Sequence, residues 1–327
     1  MKENEASFAR WLKAQKKTLI VSHTKPDGDA FGSLYGLTSA FNDNNIPAVG
    51  YMGVKLPNRY KKFFPHLSNV YLTADPPLDD IASIICLDTA TKDRLELPEG
   101  MHKNLYQLTA CNIDHHADNS RYGAVNIVEN TAAATAQIIT GILDEMQLHI
   151  SPATATCLLT GLIMDCGGFR FNNTDENVLQ TAITLMRHGA ELPKVMDHMF
   201  FQQPYNLLLL KSELFQKTSF EHNGKFAYIT LPSNKLEEYG LSPQETEGII
   251  DGIRSIDGVI IAAMLYKKEN VTRVSLRSSS AQYPVAPIAR ELGGGGHDLA
   301  AAASLGKISM ANAKHILIQK TGDILNK

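Results

Sequence analysis

Between residues 18 and 187 the chain alternates short apolar runs with helical stretches, and that alternation limits its fold more than any other feature. The run TLIVSH (18–23) reads as a buried strand, AFGSLYGLTSAFND (30–43) as a helix and PAVGYM (47–52) as a strand. ASIICLD (82–88) and LYQLTACNID (105–114) read as two further strands. AAATAQIITGILDEM (132–146) and PATATCLLTGLIMD (152–165) read as helices. Strands that alternate with helices imply an α/β fold built on a doubly wound, mainly parallel sheet. Functional residues are then expected at the carboxyl ends of its strands.

After residues 192–218, which read as helical, the texture changes. KFAYITL (225–231), GVIIAAMLYK (258–267) and NVTRVSLRS (270–278) read as strands, and the last two are expected to form a hairpin through the polar segment 267–270. Helical stretches at 243–254, 284–292 and 309–325 accompany them, which implies a smaller C-terminal α+β domain. A length of 327 residues also favours two cores over one. The expected division is 1–190 for the first domain, 191–222 for a helical linker and 223–327 for the second, with a cleft between the domains.

Bulk properties narrow the function. With 44% hydrophobic and 20% charged residues the chain is a globular protein rather than a disordered one. A net charge of −3 argues against a partner such as long duplex nucleic acid, which is bound by broad basic surfaces. The N-terminal segment carries charges throughout, without the apolar centre of a signal peptide, and no run is long enough for a membrane span. Cys86, Cys111, Cys157 and Cys166 form no CxxC pair, so a reduced, cytoplasmic protein without a zinc-finger site is expected.

Four acidic or histidine clusters stand where predicted elements end. His23, Asp27 and Asp29 follow the first strand in SHTKPDGDAFGS; Asp88 closes CLD; Asp114, His115 and His116 lie in NIDHHAD; Asp165 ends the helix that runs into DCGGF. Singly, each has a plain structural reading. Asp27–Gly28–Asp29 resembles a turn capping the next helix, and Asp88 and Asp165 resemble caps. Together, at the ends of neighbouring strands, they would crowd at least four carboxylates and two imidazoles into one crevice. Unscreened, such carboxylates repel one another, and divalent cations remove that problem. A carboxylate and imidazole donor set without thiolate suits Mn²⁺ or a similar first-row ion better than Mg²⁺.

DGD after a strand, then LD, DHH and a later D-x-G, in this order, resemble the DHH phosphoesterase family. VSLRS followed by IARELGGGGHDLAAAAS resembles the DHH-associated C-terminal domain with its GGGH motif. The resemblance spans about residues 17–305 and is similar to the nano-RNase and pAp-phosphatase branch. It implies two divalent metal ions, most simply Mn²⁺, with His23 and Asp27 at one, Asp29, His115 and Asp165 at the other, and Asp88 bridging. Asp114 would orient His115 or a neighbour, and His116 would contact a phosphate or protonate the leaving group. It implies hydrolysis of short single-stranded RNA or DNA oligonucleotides and of the 3′-phosphate of 3′-phosphoadenosine 5′-phosphate (pAp). Gly294, Gly295, Gly296, His297 and Arg277 would clamp the substrate's phosphate or sugar.

Three departures bear on substrate preference. Asp298 follows the GGGH motif where a basic residue is common, Ala300 to Ala303 replace a following glycine, and Gly168 stands where relatives often carry a larger residue. The alternatives are a phosphodiesterase for pApA or cyclic dinucleotides, an exopolyphosphatase, and a non-catalytic nucleotide-binding sensor. Met196, Met199, Phe200 and Phe201 read as linker packing or a homodimer contact rather than a cofactor site.

Overall fold

The computed structural model describes residues 3–64, 66–101, 109–242, 246 and 248–326, with side chains from Ser7 onward. It divides into two units, Met1–Gln202 and Gln203–Lys327. The start of the expected strand 105–114 and of the expected helix 243–254 lie outside the described residues.

In the first unit the elements are α1 (Glu3–Lys13), β1 (Thr18–Val21), α2 (Gly28–Asp43), β2 (Ala48–Tyr51), β3 (Val70–Tyr71), β4 (Ser83–Leu87), β5 (Thr109–Asp114), β6 (Val125–Val128), α3 (Thr135–Glu145), α4 (Pro152–Asp165), α5 (Glu176–Arg187) and α6 (Leu192–Met196). The sheet runs β3-β2-β1-β4-β5-β6, and every neighbouring pair is parallel. The chain builds outward from β1 to β3, returns to the other side of β1 and builds outward again to β6. The order reverses between β1 and β4, which is where such sheets open a crevice.

Period-two alternation sorts the strand residues into two apolar layers. Ile20, Ile85, Leu87, Cys111 and Ile113 join the layer that includes α2 and α4. Leu19, Val21, Ile84 and Cys86 join a second layer with Leu95, Leu97 and Met101. Residues Gly28 to Phe41 of α2 are all buried, so this helix is enclosed on every side and its buried face includes the polar residues Asp29, Ser33, Thr38 and Ser39. It lies hard against α4. A Cβ on Gly32 would come within 2.6 Å of the Cys157 carbonyl oxygen and of Gly161 N. Only glycine lets the two backbones approach so closely.

The expected continuous helix over 192–218 is broken. After α6 a π-helical turn covers Asp197–Phe201, Pro204 follows, and a new helix, α7 (Tyr205–Gln216), begins in the second unit. Proline disfavours helical geometry in the residue before it, which accounts for the break. Met199 is buried in the first core, with Met196 and Phe200 packed against it, while Phe201 remains 74% exposed.

The second unit continues with β7 (Ser219–Glu221), β8 (Phe226–Leu231), α8 (Lys235–Glu238), α9 (Ile249–Arg254), β9 (Ile261–Lys268), β10 (Val271–Ser278), α10 (Ala286–Glu291), β11 (Gly295–His297), β12 (Ala300–Ser304) and α11 (Met310–Leu325). Its sheet order is β11-β12-β10-β9-β8-β7, antiparallel except for β8 beside β9. The hairpin expected at 267–270 forms between β9 and β10. Glu269 and Asn270 take φ values of 52° and 63°, the pair of left-handed residues that a two-residue hairpin turn needs.

Candidate active site

Parallel register assembles the first part of the site. Val21 lies beside Cys86 on β4, and Cys86 beside Asn112 on β5. Two residues beyond each of these come His23, Asp88 and Asp114. One imidazole and two carboxylates are thereby aligned at the carboxyl edge of three adjacent strands, at the reversal of strand order. Asp88 takes φ 54°, and its N–H donates to the Ile113 carbonyl at 3.0 Å. The left-handed region costs a side-chain-bearing residue about 1–2 kcal/mol and is most accessible to Asn and Asp. Asp88 Oδ2 lies 3.5 Å from His23 Nε2, and its Oδ1 lies 3.5 Å from His115 Nε2 and 3.7 Å from His116 Nδ1.

The helices supply the rest. Asp27 is the N-cap of α2, where its Oδ1 accepts from Asp29 N at 3.0 Å and Ala30 N at 3.2 Å. The capping reading of the DGD turn is therefore correct, and it coexists with the site. Asp29 is fully buried; its Oδ1 accepts from Ser33 Oγ and Ala136 N, both at 3.0 Å, and its Oδ2 from Thr135 N at 2.6 Å. Helix α3 has no side-chain cap of its own, so Asp29 caps it from 106 residues away. Asp165 is the last residue of α4, with Oδ2 3.3 Å from His115 Nε2. Thr135 Oγ1 donates to Asp88 Oδ1 at 3.2 Å.

Several ligand-sized groups result, the donor atoms of each within 4.8 Å of one another: among them are His23, Asp27 and Asp88; Asp29, His115 and Asp165; and Asp88, Asp114, His115 and His116. Burial, followed by the charges of Asp88 and Asp27, pushes the Asp29 carboxyl well above the usual range. Burial, followed by Asp27, Asp29 and Asp88, does the same to Asp165. Burial also opposes ionisation of Asp88, but the His23 hydrogen bond and the neighbouring imidazoles prevail and hold its carboxyl low. His23 is buried, and among the described residues its Nδ1 has no hydrogen-bond partner. Mutually repelling carboxylates, a buried imidazole nitrogen without a partner, and an all-oxygen-and-nitrogen donor set together fit divalent cations.

Asp114 is fully buried, and its Oδ1 accepts from His115 N at 2.9 Å and from His116 Nδ1 at 2.7 Å. Of the two partners considered for Asp114 from sequence, the side chain it meets is His116. Burial lowers the affinity of His116 for a proton, but the Asp114 hydrogen bond and the charges of Asp88 and Asp114 raise its pKa to about 9. Sequence reasoning passed over Asn112, Asn119 and Tyr122, which surround Asp114 and one another. Their signal lies in the polar residues at 112, 119 and 122, flanking the DHH triplet.

Gly167, Gly168 and Phe169 take φ values of 57°, 67° and 64° after α4. A Cβ at Gly168 would meet Met196 Cε at 3.1 Å and Phe200 Cε2 at 3.2 Å. The small residue thus answers both a left-handed backbone and a packed aromatic neighbour.

In the second unit the glycine run is a strand edge. A Cβ on Gly294 would lie 2.0 Å from the Ala302 carbonyl oxygen, and one on Gly296, at φ 134°, would lie 2.5 Å from that of Ala300. The alanine run is the strand β12, in which Ala301 and Ala303 are buried. Ala300 pairs with Arg277 on one side and His297 on the other, which puts Arg277 and His297 in one cross-strand row separated by a methyl group. Arg277 Nε lies 3.5 Å from Asp251 Oδ1. His297 and Gly295 and Gly296 are exposed.

All four cysteines are buried and none forms a disulfide. Among the described residues no helix is long and apolar enough to cross a membrane.

Comparison with known proteins agrees with this architecture. Residues 17–162 match the DHH family N-terminal domain, and residues 223–323 match the DHHA1 domain. The chain is 31% identical over 315 residues to the bifunctional oligoribonuclease and PAP phosphatase NrnA of Thermus thermophilus, covering 94% of this chain and 90% of that protein. It is 26% identical over 308 residues to the protein of the same name from Bacillus subtilis, covering 92% and 93%. The crystal structure of an exopolyphosphatase-related protein from Bacteroides fragilis superposes with a TM-score of 0.87 at 22% identity, covering 99% of this chain and 96% of that one, and so shares its fold. By the order of its motifs, the sheet that aligns them and similarity over nearly its whole length, the chain belongs to the DHH family.

Proposed function

We propose that the protein is a phosphoesterase that hydrolyses short single-stranded oligonucleotides and removes the 3′-phosphate of pAp, using two divalent metal ions, with Mn²⁺ as the favoured ion. The observation that carries this reading is the pair of donor groups at the strand-order reversal, His23–Asp27–Asp88 and Asp29–His115–Asp165. The relatives named as oligoribonucleases and PAP phosphatases support the substrate class.

His23 and Asp27 would hold one ion, Asp29, His115 and Asp165 the other, and Asp88 both. When bound, such ions supply Lewis-acid activation of water and neutralise phosphate charge. The chain's own residues do the remaining work. Asp29 and Asp88 are held by Thr135 and the start of α3, so their carboxylates are fixed before substrate arrives. His116, hydrogen-bonded through Nδ1 to Asp114, gives a proton from Nε2 to the departing oxygen. The water oxygen bonds to phosphorus, the phosphorus–oxygen bond to the leaving group breaks, and the proton lost by the water passes to solvent, from which the imidazole is recharged. In the second unit, Arg277, His297 and the backbone of Gly295 and Gly296 hold the substrate's distal phosphate or sugar, while Gly294, whose N–H donates to the Ala289 carbonyl at 2.8 Å, shapes the turn that leads into them.

We place the protein in the cytoplasm, as its four reduced cysteines favour, and assign it a homodimer. The apolar stripe Leu179, Ile183 and Met186 on α5, each more than 40% exposed, supports pairing with a second copy. Glu176 opens that helix and Arg187 ends it, so two copies packed antiparallel bring unlike charges together.

The test is a Mn²⁺-supplemented assay on pAp, RNA of two to five nucleotides, cyclic di-AMP and polyphosphate, with Asp88→Ala as control. Turnover of pAp and short RNA that disappears in the control is expected. Turnover of polyphosphate alone, or near-normal activity of Asp88→Ala, would refute the reading.

A further inference from the structure

We propose that Asn119 is a positioning residue for this reaction, locking Asp114 in the one orientation that presents His116 to the leaving oxygen. The inference rests on the role of His116 proposed above. Asn119 lies in the turn after the DHH triplet, where its N–H donates to the His116 carbonyl at 3.2 Å. Its Nδ2 lies 2.5 Å from Asp114 Oδ2 and 2.8 Å from Asn112 Oδ1.

Backbone groups fix the orientation of both amides. Arg121 N donates to Asn119 Oδ1 at 2.6 Å, and a backbone N–H can only donate. The opposite end of Asn119, the NH₂ group, must therefore face Asp114. Asn112 is fully buried, and its Nδ2 faces the carbonyls of Cys86 at 3.2 Å and Thr89 at 3.3 Å, which can only accept. Its Oδ1 must then face Asn119. Tyr122 closes the set, its hydroxyl lying 3.2 Å from Asn112 Nδ2 and donating to the Thr89 carbonyl at 3.1 Å. The donors run from backbone-anchored amides toward Asp114 without an ambiguous flip.

Asp114 is thus saturated on the side away from the site. Oδ2 takes Asn119, and Oδ1 takes His115 N and His116 Nδ1. Were Oδ2 left without its donor inside the protein, the carboxylate would rotate to find one, and the shared Oδ1 would lose its angle to His116. Asn is well matched to this place. Asp would set a second negative charge against Asp114, and Ser would fall short of spanning Asn112 and Asp114 together.

The discriminating measurement compares two leaving groups with the Mn²⁺-loaded full-length protein. Hydrolysis of pAp expels a sugar oxygen that needs a proton. Hydrolysis of the 4-nitrophenyl ester of thymidine 5′-phosphate expels 4-nitrophenolate, which does not. For Asn119→Ala, kcat on pAp is expected to fall about 10–100-fold, the usual loss when a side chain that orients an active-site residue is removed. KM and Mn²⁺ affinity should stay within about twofold, and kcat on the aryl ester within about threefold. Equal losses on both substrates, or no loss on pAp, overturn the proposal. Should Asn119→Ala fail to fold, Asn119→Ser is read by the same criteria. His116→Gln separates the two layers of inference. If it lacks the leaving-group dependence, the acid role of His116 is wrong; if it has the dependence and Asn119→Ala does not, only the role of Asn119 is wrong.

Discussion

Gly161→Ala tests whether the fold holds Asp29 in place or merely accommodates it. Gly161 lies within α4, and a Cβ there would sit 2.9 Å from Asp29 Oδ1 and 2.9 Å from Ala136 Cβ. Both separations need to open by about half an ångström to reach ordinary contact. Ala136 Cβ is fixed to the first turn of α3, and Asp29 Oδ1 holds two hydrogen bonds, from Ser33 and Ala136. Replacing a helical glycine by alanine contributes about 1 kcal/mol in favour of the variant. Overpacking costs about 1–3 kcal/mol, and hydrogen bonds to a charged group are worth about 1.5–3 kcal/mol each. The unfavourable contributions win, leaving a net loss of about 1–3 kcal/mol. For a unit of this size that lowers Tm by about 2–12 °C in a metal-free thermal melt. Displacement of Asp29 should weaken Mn²⁺ binding about 10–100-fold in titration calorimetry. A variant with raised Tm and wild-type Mn²⁺ affinity would show that helix propensity dominates and that the contact between Gly161 and Asp29 is immaterial.

Other perturbations have equally definite outcomes. The raised pKa of Asp165 means that its carboxyl contributes stability below the unfolded value near 3.8, and that this contribution disappears as pH rises through the folded pKa. At neutral pH and in chelator, Asp165→Asn should therefore melt above the wild type, yet gain less from added Mn²⁺; a lower Tm in chelator would contradict the account of crowded carboxylates. Ile183→Glu should convert a dimer to a monomer by light scattering, and a monomeric wild type would remove α5 as the contact. Gly294→Ala drives a Cβ against the Ala302 carbonyl, so KM for pAp should rise about tenfold or more while Mn²⁺ affinity in the first unit is unchanged. An unaltered KM would separate the glycine run from substrate binding.

The individual elements of the site were legible because each ligand candidate stands at the end of a pattern. His23 follows a buried run, Asp88 ends one, the DHH triplet closes another and Asp165 ends an apolar helix. The alanine run 300–303 was not legible as a strand. Alanine has little preference for extended structure, and pairing with β10 and β11 overrides that tendency. The break at Pro204 was legible in principle from the residue alone, but the apolar residues on both sides read as one helix.

Spacing and residue type alone determined which acids and imidazoles the chain possesses and that a parallel sheet would carry them, because periodicity and local chemistry are written residue by residue. Which of them meet was decided by tertiary structure. Strand order sets β1 beside β4, register aligns His23 with Asp88 and Asp114, and the close approach of α2 and α4 at Gly32 and Gly161 brings Asp29 to the start of α3. Contacts across 106 residues depend on how whole elements pack, and no local pattern encodes that distance.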